Sequence, residues 1–203
     1  MNLSEGDQVV NKLKLPSKER LVLAITGASG MPYVVAALRY LKDKRDLELH
    51  CVISKAGELV MRQEVGWSLA ELKQMTDHLY EETDLAAPIA SGSFRFEAML
   101  VMPCSTKTLS SIANGYSFNL ISRAAEVALK EGRKLVLVIR ESPLSLMDVE
   151  NMEKVIQAGG TIMPASPAFY THPRTLEDAV NFVAGRALSA VGIENNLYQP
   201  WLG

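Results

Sequence analysis

Three hydroxyls and an ammonium follow directly on an apolar run. Ser105, Thr106, Lys107 and Thr108 come after Ala98-Met-Leu-Val101 and the segment Met102-Pro-Cys104. An all-apolar run closed by a proline predicts a buried parallel strand over 98–102, with a helix over 105–113 after it. The first turn of a helix carries unpartnered N–H groups and positive partial charge, so anionic or oxygen-rich ligands are well received there. The same construction occurs earlier, where Leu21-Val-Leu-Ala-Ile25 runs into Thr26-Gly-Ala-Ser-Gly30. Two such turns in one small domain suggest a phosphate-bearing cofactor, with Gly27, Ala28, Ser29 and Ser105 to Thr108 around it. The plainer readings are a tight turn at 27–30 and an ordinary helix cap with a solvated lysine at 105–108. The glycine turn also lacks the third glycine of a dinucleotide fingerprint and the Gly-Lys-Ser/Thr of a P-loop.

Other candidates stand at equivalent places. Ser54 closes an apolar run, where its hydroxyl caps the next helix or reaches a ligand. Arg140 and Glu141 follow Leu135-Val-Leu-Val-Ile139. They read as a surface ion pair of small value, or as an anion clamp beside an acid/base group. Arg123 and Lys130, seven apart on one predicted helix face, read by default as solvated. Tyr170 closes the stiff loop Pro164-Ala-Ser-Pro-Ala-Phe-Tyr170, and its hydroxyl needs a partner if buried. Arg186 alone is a surface residue of the last helix. His50, His78 and His172 are scattered without ligand spacing, so no metal is expected. The absence of a nucleophile elbow argues against hydrolysis.

The elements that must position these residues alternate. Strands are expected over 21–26, 47–53, 98–102 and 135–139, with a short apolar piece at 161–163. Helices are expected over 31–43, 55–65, 105–113, 119–131, 146–158 and 175–190, with a helical patch at 68–75. Wholly apolar strands separated by helices imply a single α/β domain, a Rossmann-like (flavodoxin-like) parallel sheet with helices on both faces. In such sheets ligands collect at the carboxyl ends of the strands, and all the informative turns fall there. Residues 1–19 read as an extension, 20–190 as the domain, and 191–203 as a tail whose Tyr198 and Trp201 suggest docking at a subunit contact.

At 203 residues the chain suits one well-buried domain. Its formal net charge of −2 gives no reason to expect nucleic acid. Cys51 and Cys104 have no CxxC partner and read as reduced, packed thiols. No apolar segment approaches the roughly 20 residues that cross a bilayer, and Met1 to Arg20 lacks the apolar core of a signal peptide. A cytoplasmic protein is expected.

Taken in order, these pieces resemble the flavin prenyltransferases of the UbiX type. The matching segments are Gly27-Ala-Ser-Gly30, Ile53-Ser-Lys55, Ser91-Gly-Ser-Phe94, Met102 through Leu109, Arg123-Ala-Ala125, Leu129-Lys-Glu131, Arg140-Glu-Ser-Pro-Leu144, Glu150-Asn-Met152, and Pro164 through Tyr170. The chain departs from the family pattern at Phe118, where aspartate is usual, at Glu126 for another aspartate, and at Met147-Asp148, where a histidine is usual.

The resemblance implies a homododecamer that binds reduced FMN as a substrate. A dimethylallyl group leaves its phosphate and joins N5, then C6, giving prenylated FMN for a UbiD-type decarboxylase. It assigns Lys130, Arg140, Tyr170 and Arg186 to the phosphate of the dimethylallyl donor. Gly27, Ala28, Ser29, Ser54, Ser105, Thr106, Lys107, Thr108, Arg123 and Arg140 go to the flavin. Ser29, Glu64 and Glu141 are the candidates for moving protons, and no metal is implied. Two alternatives remain. A peptide-cysteine decarboxylase needs an early histidine, whereas Met31, Pro32 and Tyr33 follow the glycine turn. A non-catalytic FMN carrier or chaperone for a decarboxylase has no use for the phosphate set.

Overall fold

The computed structural model describes residues 18–201. Six strands form one parallel sheet: β1 (Glu19–Ile25), β2 (Leu47–Ile53), β3 (His78–Glu81), β4 (Ala98–Cys104), β5 (Lys134–Ile139) and β6 (Thr161–Pro164). Their spatial order is β3-β2-β1-β4-β5-β6, so the switch in strand order lies between β1 and β4. Seven helices accompany them: α1 (Met31–Leu41), α2 (Lys55–Val65), α3 (Leu69–Lys73), α4 (Thr106–Ala113), α5 (Leu120–Lys130), α6 (Leu146–Gln157) and α7 (Leu176–Ala190). A short 3-10 turn, Pro88–Ala90, precedes β4.

Leu21–Ile25 of β1 and the whole of β4 are apolar because both faces are covered. Leu21, Leu23, Ile25, Leu100 and Met102 pack with α1 and α7 on one side. Val22, Ala24, Met99, Val101 and Cys104 pack with α4 and α5 on the other. That alternation along each strand gives two cores and a single α/β domain of the expected class.

The structure differs from expectation at three points. β3 escaped notice because His78-Leu-Tyr-Glu81 is an edge strand with polar, half-exposed residues, so it makes no apolar run. β4 continues through Pro103 to Cys104, since the missing N–H falls where the β4–β5 register shifts. His50 and His78, scattered in sequence, are register partners across β2 and β3. The tail packs onto its own chain: Tyr198 lies edge-on to Phe182 of α7 at 5.2 Å, and Trp201 edge-on to Tyr170 at 5.2 Å. The expected extension, apart from Lys18 and Glu19, lies outside the described residues. Among those described, no helix is long and apolar enough to cross a membrane.

Candidate functional site

The turns after β1 and β4 meet at the switch point, and one side chain joins them. Thr26 is buried, its hydroxyl donates to the Pro103 carbonyl at 2.7 Å, and it accepts from the Ser105 N–H at 2.8 Å. Ser105 then caps α4: its Oγ accepts from the Thr108 N–H and donates to the Thr108 hydroxyl at 3.1 Å. The N–H groups of Thr106 and Lys107 are left without acceptors among the described residues. An anion can be received at that helix start, with the exposed Lys107 beside it. The Lys107 ammonium rests 4.4 Å from the centroid of the Phe118 ring.

The other helix start is closed. Glu64 of α2 accepts from the N–H groups of Gly30 and Met31, each at 2.9 Å. A carboxylate already fills the place where a phosphate was expected at the head of α1, and its charge would repel one. Burial pushes the Glu64 carboxyl up, but the Ser29 hydroxyl, the two N–H groups and Arg140 outweigh it and leave its pKa lowered. Glu64 is therefore a carboxylate clasp on the Ser29–Gly30 turn and poorly suited to taking up a proton. Arg140 holds the same turn from the β5 side, its Nε donating to the Ser29 carbonyl at 3.1 Å. Gly30 has φ +126°, a conformation that favours glycine. Gly27 is required by contact, since a Cβ there would stand 2.5 Å from that of Ala56. Ala28 is buried, while Ser29 is exposed beside these groups.

The remaining candidates divide. Ser54 caps α2 by accepting from the Gly57 N–H at 3.0 Å, the plainer of its two readings. Glu141 and Arg140 do not pair: Glu141 is exposed and accepts from the Ser142 N–H at 3.1 Å. Arg123 donates to the Ala90 carbonyl and pairs with Glu126 at 3.0 Å. Tyr170 stands edge-on to Phe182, while Arg186 donates to the Tyr198 hydroxyl at 3.2 Å. Tyr170, Phe182, Tyr198 and Arg186 thus form one aromatic ladder along α7. Lys130 belongs to neither group. It ends α5, four positions before β5 begins, whereas Arg140 follows the end of that six-residue strand. At about 3.3 Å per residue, roughly 20 Å of sheet separates them.

Sequence reasoning missed two residues that position the site. In sequence Thr26 is one residue of a glycine turn, although a threonine at a strand mouth can bond two backbones at once. Glu82 accepts from the Lys55 N–H at 2.9 Å and from the Asn119 side chain at 2.7 Å, joining the heads of α2 and α5. It follows β3, so overlooking that strand hid it.

A family model described as "Flavoprotein" matches residues 10–188. The chain is 43% identical over 182 residues to a flavin prenyltransferase UbiX from Methanocaldococcus jannaschii, covering 90% of this chain and 98% of the relative. Among solved structures, AnUbiX (PadA1) in complex with FMN and dimethylallyl pyrophosphate is 39% identical with a TM-score of 0.88, covering 92% of this chain and 98% of that one. A dodecameric FMN-dependent UbiX-like decarboxylase from Escherichia coli O157:H7 is 43% identical with a TM-score of 0.88, covering 91% and 100%.

Proposed function

The chain belongs to the flavin prenyltransferases of the UbiX type within the flavoprotein family, and from that premise we propose that it joins a dimethylallyl group to N5 and C6 of reduced FMN. The donor is a dimethylallyl phosphate, and the prenylated FMN formed passes to a UbiD-type decarboxylase in the cytoplasm. The observation that carries the reading is the pair of turns joined through Thr26, with an open helix start on one side and a clasped Ser29 turn on the other. Reduced flavin supplies the nucleophilic nitrogen and carbon and an electron-rich face that shields an allylic cation.

The chain's own residues divide the work. The Thr106 and Lys107 N–H groups, Ser105, Thr108 and the Lys107 ammonium suit oxygens of the flavin or its phosphate. Gly27 and Ala28 admit the ligand to the backbone, with Ser54 and Arg123 as further contacts. Arg140 reaches both flavin and prenyl phosphate. Ionising the donor leaves charge on phosphate oxygens, and Lys130, Arg140, Arg186 and the Tyr170 hydroxyl supply three cations and a donor for it. Prenyl transfer needs no metal in this reading. Glu141, exposed at the same strand end, is placed to take or return a proton, with Ser29 as relay; Glu64 acts by holding Ser29.

Because Lys130 and Arg140 stand at opposite ends of β5, a phosphate that both touch must lie between copies of the chain. A homododecamer fits this need, as do apolar side chains left at the surface: Leu144, Leu146, Met147 and Phe169 are all exposed. The decisive test is mass spectrometry of FMN after anaerobic incubation with protein, reductant and dimethylallyl monophosphate or diphosphate. A mass gain of one isoprene unit is expected. Flavin that stays bound and unchanged with both donors would leave the carrier reading standing instead.

A further inference from the structure

The amino half of the sheet holds a second group of chemically capable side chains that prenyl transfer does not use. Glu48 and His50 lie on one face of β2, two residues apart, and His78 is the register partner of His50 on β3. The Glu48 carboxylate and the ring nitrogens of His50 and His78 lie within 4.8 Å of one another. His50 is 2% exposed, yet its Nε2 has no hydrogen-bond partner. It points towards Glu48 Oε1 from 3.6 Å, too far for a bond. A buried imidazole nitrogen without a partner is costly and calls for a missing water or ion.

We infer that Glu48 Oε1, His50 Nε2 and His78 Nε2 form a site for one divalent transition-metal ion of the zinc class. Two imidazoles and one carboxylate are a zinc-type donor set, leaving a fourth position for water, and they disfavour magnesium or calcium, which seek oxygen. The supporting groups are in place. The Tyr80 hydroxyl is 2.9 Å from His50 Nδ1, which fixes the ring with Nε2 facing Glu48. Arg20 donates to the other carboxylate oxygen, Oε2, at 2.7 Å, so that Oε1 is turned to the two imidazoles. The Arg20 guanidinium is itself held over the Phe94 ring, which also packs in a T-shaped contact with His50 at 5.1 Å. One adjustment is required. The two imidazoles stack at 4.4 Å with 15° between their planes, and His78 Nε2 is 2.9 Å from Glu48 Oε1. Both rings cannot direct lone pairs at one point until His78 turns. Its side chain is 44% exposed on the edge strand, so it has room to do so. The ion would then tie β3 to β2 and, through Arg20, to β1.

The test is equilibrium dialysis of the tag-free full chain against zinc chloride after chelator treatment, with bound metal counted by mass spectrometry. About one zinc per chain is expected, with a rise in melting temperature and, on cobalt substitution, the intense visible absorption of a four-coordinate site. His78→Ala, at an exposed edge position, should fold and bind flavin normally but lose at least tenfold in zinc affinity. Glu48→Gln should do the same, and Tyr80→Phe should weaken binding by about tenfold to a hundredfold. The inference is overturned if the unmodified chain takes up no zinc, or if His78→Ala binds zinc as tightly as the unmodified chain.

Discussion

The Lys107 ammonium sits 4.4 Å from the centroid of the Phe118 ring, and Phe118 stacks in turn on Tyr116 at 5.9 Å. An aromatic face holds a cation in place without neutralising it, at about 0.5–1 kcal/mol for an exposed site. The aspartate that the family pattern has at position 118 would hold the ammonium and cancel its charge. With Phe118, Lys107 keeps its full charge beside the open start of α4.

Phe118→Leu should therefore weaken FMN binding modestly, by about twofold to fivefold, because Lys107 loses its rest but not its charge. Phe118→Asp should weaken it further, with a shallower dependence on salt. Fluorescence titration at two ionic strengths checks both, and tighter binding by Phe118→Asp would show that Lys107 does not face the ligand.

Thr26→Val removes the hydroxyl joining the two turns and strands the half-buried Ser105 N–H. A stability loss of about 1–3 kcal/mol is expected, with Thr26→Ser close to the unmodified protein. Urea unfolding of the three proteins measures it. A loss in Thr26→Ser with none in Thr26→Val would point to the methyl group rather than the hydroxyl.

Arg186→Ala and Tyr170→Phe should leave FMN bound, since among the described residues both side chains contact the α7 ladder and neither bonds the Ser29 or Ser105 turn. Arg186→Ala should slow single-turnover prenylation by roughly a hundredfold to a thousandfold, or about 2.7–4 kcal/mol, and Tyr170→Phe by less. Ser105→Ala and Arg140→Ala should instead weaken flavin retention. Unchanged turnover in both ladder variants would remove them from the phosphate site.

Acid should destabilise the metal-free protein in two stages. Burial lowers the His50 pKa from 6.5 to about 4, helped by His78 and Arg20 and opposed by Glu48 and Asp77; Tyr80 bonds its other nitrogen. The hydrogen bond from Arg20, against some desolvation and with help from His78, lowers Glu48 from 4.5 to about 2. Both folded values lie below the unfolded ones, so the unfolded chain binds more protons. The His50 contribution is thus whole above about pH 6.5 and is lost as pH falls towards 4. The Glu48 contribution is whole above about pH 4.5 and is lost towards 2. Urea midpoints with chelator present should fall from pH 7 to pH 4, and His50→Gln should flatten that decline. An unmodified protein as stable at pH 4 as at pH 7 would contradict the burial argument.

The sheet was legible because β1, β4 and β5 carry short apolar runs that fill both faces, spaced by helix-length segments, and β2 follows the same spacing although Glu48 and His50 break its run. β3 was not, because an edge strand carrying His78 and Glu81 has the composition of a loop. The helix start at Ser105 was visible from local chemistry. The closing of the other by Glu64 was not, since nothing in the sequence says that a glutamate 34 positions on will reach Gly30. Pairings of that kind depend on how α1 and α2 pack, which spacing along the chain does not encode. Glu48, His50 and His78 were hidden for the same reason: the β2–β3 register makes them neighbours.

The length of β5 sets a rule of inheritance for the assembly. If Lys130 of one copy completes the site that Arg140 of another begins, each chain is both lender and borrower, and a damaged Lys130 harms a neighbour rather than its own bearer. Two dead variants, Lys130→Ala and Arg140→Ala, would then rescue each other. In a random mixture about a quarter of the sites would draw both residues from intact donors, so mixing two inactive preparations would restore activity.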